Sequence, residues 1–144
     1  MISISKQNIE DLRVGDEVSF KEVISEDMVD QFVSLTGDRS TLHINNNFAL
    51  QRGFKGRVVH GVLLLGFLSR AVGMYLPGEN ALLQNLNSHF LAPAYIGEAV
   101  LIKINVEQIS KATRTILLKA SIEKHNSGIV VLRSKIQVGF TSEK

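Results

Sequence analysis

The stretch from Val58 to Leu76 constrains this chain more than any other. It is apolar throughout apart from His60, Ser69, Arg70 and three glycines, Gly61, Gly66 and Gly73. It is about long enough to span a bilayer, but a histidine and an arginine inside it would be costly in hydrocarbon. A helix that is apolar around most of its circumference is otherwise a buried one. Pro77-Gly78 gives it a sharp stop. We therefore read 58–76 as a long helix at the centre of the molecule, which the rest of the chain must cover.

The flanking segments supply that cover. Glu17 to Ile24 reads as a strand. Ser25 then offers an N-cap, with Glu26 and Asp27 in the acidic first turn. Met28, Val29, Phe32, Val33 and Leu35 recur at helical spacing until Gly37 closes the helix. Residues 38–57 read as irregular and polar, with one short helical turn around Asn47 to Gln51. Beyond Pro77-Gly78 the period changes to two. Val100, Ile102, Ile104 and Val106 alternate with polar or outward residues, as do Ile116, Leu118, Ala120 and Ile122. Val130, Leu132, Ile136 and Val138 share a third such face, broken by Ser134. Each pattern predicts a half-buried antiparallel strand. Lys111-Ala112 and Asn126-Ser127-Gly128 are the turns between them, and Ala81 to Leu91 adds a further strand candidate ended by Pro93. The economical packing is α+β: a curved antiparallel sheet wrapped around the central helix, in a single domain over 1–144.

Composition narrows the function classes. Sixteen Lys and Arg against fourteen Asp and Glu leave a charge of only +2, with no dense basic run to favour nucleic acid. The chain has no cysteine, which excludes disulfides, a thiolate nucleophile and Cys-ligated metal. The start, Met1-Ile2-Ser3-Ile4-Ser5-Lys6, lacks the apolar core of a signal peptide, so a soluble cytoplasmic protein without a membrane segment is expected. His-x-x-x-His spacing is absent, and no metal is expected. Gly53-Phe54-Lys55-Gly56-Arg57 is neither a Walker loop nor a dinucleotide fingerprint.

The chemistry-bearing residues crowd into 36–61. Asp38 follows the end of one helix and His43 lies five residues on. A carboxylate and an imidazole meeting at one water suit general acid–base work. On the pair alone, a local turn and a satisfied surface histidine account for the same residues.

The wider pattern adds to this. Thr36-Gly37-Asp38, His43, Ala49, Gly53-Phe54, Val59-His60-Gly61 and Leu76-Pro77-Gly78 occur in order, followed by Phe90-x-x-Pro93 and Gly97-Glu98. The run resembles the signature of MaoC-like dehydratases, which include the (R)-specific enoyl-CoA hydratases, from about Val14-Gly15-Asp16 to the C-terminus. The resemblance implies a hot-dog fold, a homodimer with acyl sites near the interface, and a thioester substrate carried on coenzyme A or acyl carrier protein, with no further cofactor. It also implies that Asp38 and His43 hold one water over the C2–C3 double bond of a trans-2-enoyl thioester. Asp38 would accept a proton, while His43 orients the water and takes part in proton delivery, giving the (R)-3-hydroxy product. The amide of Gly61, at the start of the central helix, is the candidate donor to the developing enolate. Gly56 is a second candidate, equally readable as a turn glycine, and His60 could shape the pocket mouth or serve structurally. Lys55 and Arg57 could meet phosphates, although a solvated face is the usual role of such charges.

This sequence departs from the family pattern at Ser40-Thr41, which stands where relatives carry Asn-Pro. Loss of the proline removes a stiffener from the loop presenting the histidine. Gly66 replaces a serine found near the acyl site in several relatives. A thioesterase of the same fold would place a carboxylate on the central helix, and 58–76 carries none. A non-catalytic acyl-binding subunit is the third reading, which the missing Asn-Pro keeps open.

Overall fold

The computed structural model describes residues 3–142, so the first two residues of the N-terminal stretch discussed above lie outside it. After a short 3-10 turn at Ile9–Asp11 the chain forms β1 (Glu17–Val23), α1 (Glu26–Thr36), α2 (Thr41–Ile44), α3 (Asn46–Gln51) and α4 (Gly61–Arg70). Four strands follow: β2 (Ala81–Phe90), β3 (Ala99–Ser110), β4 (Thr115–Lys124) and β5 (Val130–Phe140). They build one five-stranded antiparallel sheet in the order β1-β3-β4-β5-β2.

Register explains the core. Ile102 pairs with Ile122 and Ile122 with Leu132; Val106 pairs with Leu118 and Leu118 with Ile136. Each such row points to one face, and all six side chains are buried there. Against that face lies α4, whose Leu64 and Leu68 are buried with it, as are Ala71 and Val72 in the π-helical turn that continues it. The sheet's interior row is polar once, where Ser134 is buried and Ser88 donates a hydrogen bond to it at 2.8 Å across the β2–β5 ladder. That bond offsets the cost of placing a hydroxyl in an apolar layer.

Two expectations change. The central helix is shorter than 58–76: the α-helix runs from Gly61 to Arg70 and continues as a π-helical turn over Ala71–Tyr75. Val58 forms an isolated bridge with Tyr95, and the Val59 amide donates to the Ala94 carbonyl. A buried extended segment and a buried helix look alike in an apolar run, and the paired backbone of β-branched Val58 and Val59 decides for the former. The polar segment 38–57 is also more ordered than expected: α3 at 46–51 is the short turn expected around 47–51, and α2 at 41–44 adds a second. Asn45 caps α3 by accepting from the Phe48 amide. Among the described residues no helix is long and apolar enough to cross a membrane.

Candidate active site

The site is assembled where three helix ends meet. Ser25 caps α1 through the Met28 amide, Val29 and Val33 anchor it in the core, and Gly37 ends it in the left-handed region at φ 76°. That conformation suits glycine and reverses the chain. Asp38 therefore emerges beside the start of α4. Its own amide donates to the Thr36 hydroxyl, and its Oδ1 accepts from the Ser40 amide at 3.1 Å. This local turn fixes the carboxylate and leaves Oδ2 free of that bond.

His43 comes from α2. Its Nδ1 lies 2.6 Å from the carbonyl oxygen of Val58. A carbonyl only accepts, so Nδ1 carries a proton and donates to it, which leaves Nε2 as the nitrogen that this bond does not engage. His60, the residue before α4, is 1% exposed and wedged between two rings. It stacks on His43 with centroids 3.8 Å apart, and Phe32 packs on it at 4.7 Å. Its Nε2 donates to the Asp38 backbone carbonyl at 3.2 Å and stands 4.0 Å from Asp38 Oδ2. Its Nδ1 is buried with no partner. Burial lowers the His60 pKa from its ordinary value, opposed by the bond to Asp38 and reinforced by His43. His60 is accordingly a neutral ring that ties the Asp38 backbone to the stack under His43.

Asp38, His43 and His60 thus each offer one polar atom within 4.8 Å of the others. Stacked imidazoles direct their ring-plane lone pairs side by side instead of converging them on one ion. One nitrogen of each ring is also already donating to a carbonyl. The arrangement suits a shared water better than a metal ion: a carboxylate oxygen of Asp38 and an imidazole nitrogen of His43 lie within 4.8 Å, a span that one bridging water covers.

The cleft over this cluster is lined by Asp38, His43, His60, Gly61, Phe90 and Pro93, among others. The amides of Gly61 and Val62 open α4 and have no acceptor among the described residues. They give the cleft a pair of free donors at the positive end of the helix dipole. A Cβ at Gly61 would stand 2.6 Å from the Phe90 ring, so any side chain there has to displace the ring packed over it. Gly56 is not brought into the cleft: it is buried in a separate depression with Glu26, Tyr95 and Ile96, and a Cβ on it would meet Asn46 Oδ1 at 2.9 Å.

Phe32, Val58 and Phe90 also belong to the site, through the His60 ring, the His43 Nδ1 bond and the cleft wall, which the sequence alone does not reveal. Phe90 carried a clue in its Phe-x-x-Pro93 spacing; a backbone acceptor such as the Val58 carbonyl leaves no mark in a sequence. Arg57 departs from both readings given to it. It is neither a solvated charge nor a free anion contact, because its side chain is 13% exposed and fully engaged with Glu26, Asp30 and the His43 carbonyl. Lys55 remains exposed.

The model of the MaoC-like domain family matches residues 10–127. This chain belongs to the MaoC-like dehydratase family. It is 38% identical over 101 residues to a 3-hydroxybutyryl-CoA dehydratase of Methylorubrum extorquens, a match spanning 69% of this chain and 64% of that protein. An (R)-specific enoyl-CoA hydratase of Rhodospirillum rubrum is 36% identical over 97 residues, 67% of each chain. The fold agrees with that of unliganded R-hydratase PhaJ1 from Pseudomonas aeruginosa, at a TM-score of 0.89 and 21% identity over 97% of this chain and 89% of the other. The architecture is the hot-dog fold of this family, with the sheet left open at β1 and β2.

Proposed function

We propose that the chain is an enoyl-thioester hydratase, interconverting trans-2-enoyl and (R)-3-hydroxyacyl thioesters by adding or removing one water. The observation that carries this reading is the approach of the Asp38 carboxylate and the His43 imidazole to within 4.8 Å beside the free amides of α4. The names of the relatives from Methylorubrum extorquens and Rhodospirillum rubrum agree with it.

The chemistry follows from the acceptors. One water hydrogen points to His43 Nε2 and the other to Asp38, which turns the oxygen's lone pair toward C3. As the C3–O bond forms, Asp38 takes the water's proton and the C2–C3 π pair moves to give an enolate. The thioester oxygen then carries the charge, and the Gly61 amide at the helix start stabilises it. The proton returns from the same face to C2 while His43 keeps the hydroxyl hydrogen-bonded, so one water is added and both groups are restored. The balance needs no redox cofactor. Coenzyme A and acyl carrier protein are both suitable thioester carriers. The second acceptor distinguishes this site from a single carboxylate acting on a thioester carbonyl.

The protein should act as a homodimer. Val62, Phe90 and Leu91 are exposed apolar residues around the cleft, which a second copy would help to close. Mixing the purified protein with crotonyl-CoA, and following both loss of the enoyl absorbance and release of free thiol, tests the reaction class. Hydration without thiol release is expected. Thiol release without hydration would make the protein a thioesterase, and neither would leave an acyl-binding subunit.

A further inference from the structure

Arg57 lies outside the cleft, yet it holds the element that presents His43. α2 is four residues long, and an isolated turn of that length has no stability of its own. Its N-cap, Ser40, makes no side-chain capping bond, and Thr41 has no side-chain hydrogen bond among the described residues. The His43 amide donates to the Ser40 carbonyl and the Asn45 amide to the Thr41 carbonyl; nothing further inside the turn restrains it. From outside, Val58 holds the turn at Leu42, whose carbonyl accepts from the Val58 amide at 3.1 Å, and at the His43 ring, and Arg57 is the side chain that holds the His43 backbone. Its Nε donates to the His43 carbonyl at 2.6 Å, Nη1 to Glu26 at 3.1 Å and Nη2 to Asp30 at 2.7 Å. The planar guanidinium therefore joins α2 to successive turns of α1, a rigid helix anchored by Val29 and Val33. The carboxylates hold the fork, and the fork holds the backbone of the histidine.

We propose that Arg57 is a positioning residue for His43, supplying through a tertiary clamp on its backbone the stiffness that a proline in the 40–41 loop would supply locally. The two devices are interchangeable here. Thr41 is the first residue of α2, where proline is well tolerated and the amide has no intrahelical partner. Ser40 already has φ −50° and ψ 131°, an extended conformation that a following proline favours. Thr41 is exposed and its amide has no acceptor among the described residues. Ser40 itself must keep its amide for Asp38. A proline therefore fits at 41 and not at 40.

The inference rests on His43 acting in the hydration proposed above, so the test pairs an activity readout with one that needs no activity. Arg57→Gln should lower kcat for crotonyl-CoA hydration about tenfold or more, because small misplacements of a catalytic group are expensive, while KM changes by less than about threefold. Hydrogen exchange at the His43 and Asn45 amides should rise about tenfold, with the α1 amides unchanged, as expected of local opening. Thr41→Pro should leave the parent protein's kcat within about twofold and recover much of the loss in the Arg57→Gln background, which a mere stability defect would not show. Should Arg57→Gln not fold, Glu26→Ala combined with Asp30→Ala loosens the same fork from exposed positions, with the same expectations. Unchanged exchange at 43 and 45 overturns the proposal whatever the rates do. So does raised exchange with kcat intact, or a loss of kcat that Thr41→Pro does not reduce. If the parent protein hydrates no thioester, the hydratase reading falls, and exchange alone then decides whether the clamp exists.

Discussion

Burial holds the His60 ring neutral below its ordinary value of 6.5, against the pull of the Asp38 carboxylate and carbonyl and with the push of His43 and Arg57. The consequence for stability has a definite sign. Below about 6.5 the unfolded chain takes up a proton on this ring that the folded chain does not. The contribution is therefore fully present above that pH and is lost as the pH falls. Urea midpoints should drop between about pH 7.5 and 5.5, and His60→Phe should flatten that slope, since phenylalanine keeps the stack but cannot titrate. Identical slopes in both proteins would contradict the neutral-ring account. The same stack couples to catalysis through geometry: His60 donates to the Asp38 carbonyl while its ring supports His43. His60→Phe should therefore lower kcat about tenfold without abolishing activity, measured with crotonyl-CoA, as for loss of a supporting hydrogen bond rather than of the base itself.

At the scale of elements, α4 serves the core along one side and the chemistry at its first turn. Leu68 is fully buried against the sheet, and Leu68→Ala should cost about 2–5 kcal/mol in urea unfolding. The first turn is different. A methyl at Gly61 meets the edge of Phe90, a half-exposed ring at the end of β2, so Gly61→Ala should displace the ring and cost about 1–3 kcal/mol by overpacking. In a Phe90→Leu background that penalty should shrink, which a double-mutant cycle reads directly; an additive pair would mean that the ring is not what excludes a side chain there. Much of this layout was legible beforehand. Alternation at 100–106 and 116–122 marked the strands and their buried faces, and Ser25 and Gly37 marked both ends of α1. The start of α4 was not legible, because Val58 and Val59 look apolar in either conformation and only their pairing with Tyr95 and Ala94 makes them extended. α3 was legible as a short turn around 47–51, but α2 was hidden, since a four-residue helix rests on tertiary contacts and not on an apolar period. The order of Asp38, His43, His60 and Gly61 marked the site, whereas the stacking of the two imidazoles and the Val58 acceptor depend on a chain reversal that no local pattern encodes.

For the whole molecule, the open sheet edges and the apolar rim have a consequence. β2 is an edge strand ten residues long with Leu82, Leu83 and Phe90 exposed. A long edge with such side chains calls for a partner. Light scattering at micromolar concentration should give twice the chain mass, and a strictly monomeric protein would contradict the dimer. The proposed chemistry nevertheless turns on a smaller thing, one water activated between Asp38 and His43. The most direct test of that claim is the initial rate of crotonyl-CoA hydration by folded wild type and folded Asp38→Asn. Asparagine keeps the size of the side chain and the bond from Ser40 but cannot take the water's proton. The account predicts a fall of about 10²-fold or more, as expected for a missing general base; an Asn variant retaining more than about half the wild-type rate, far above that expectation, would contradict it.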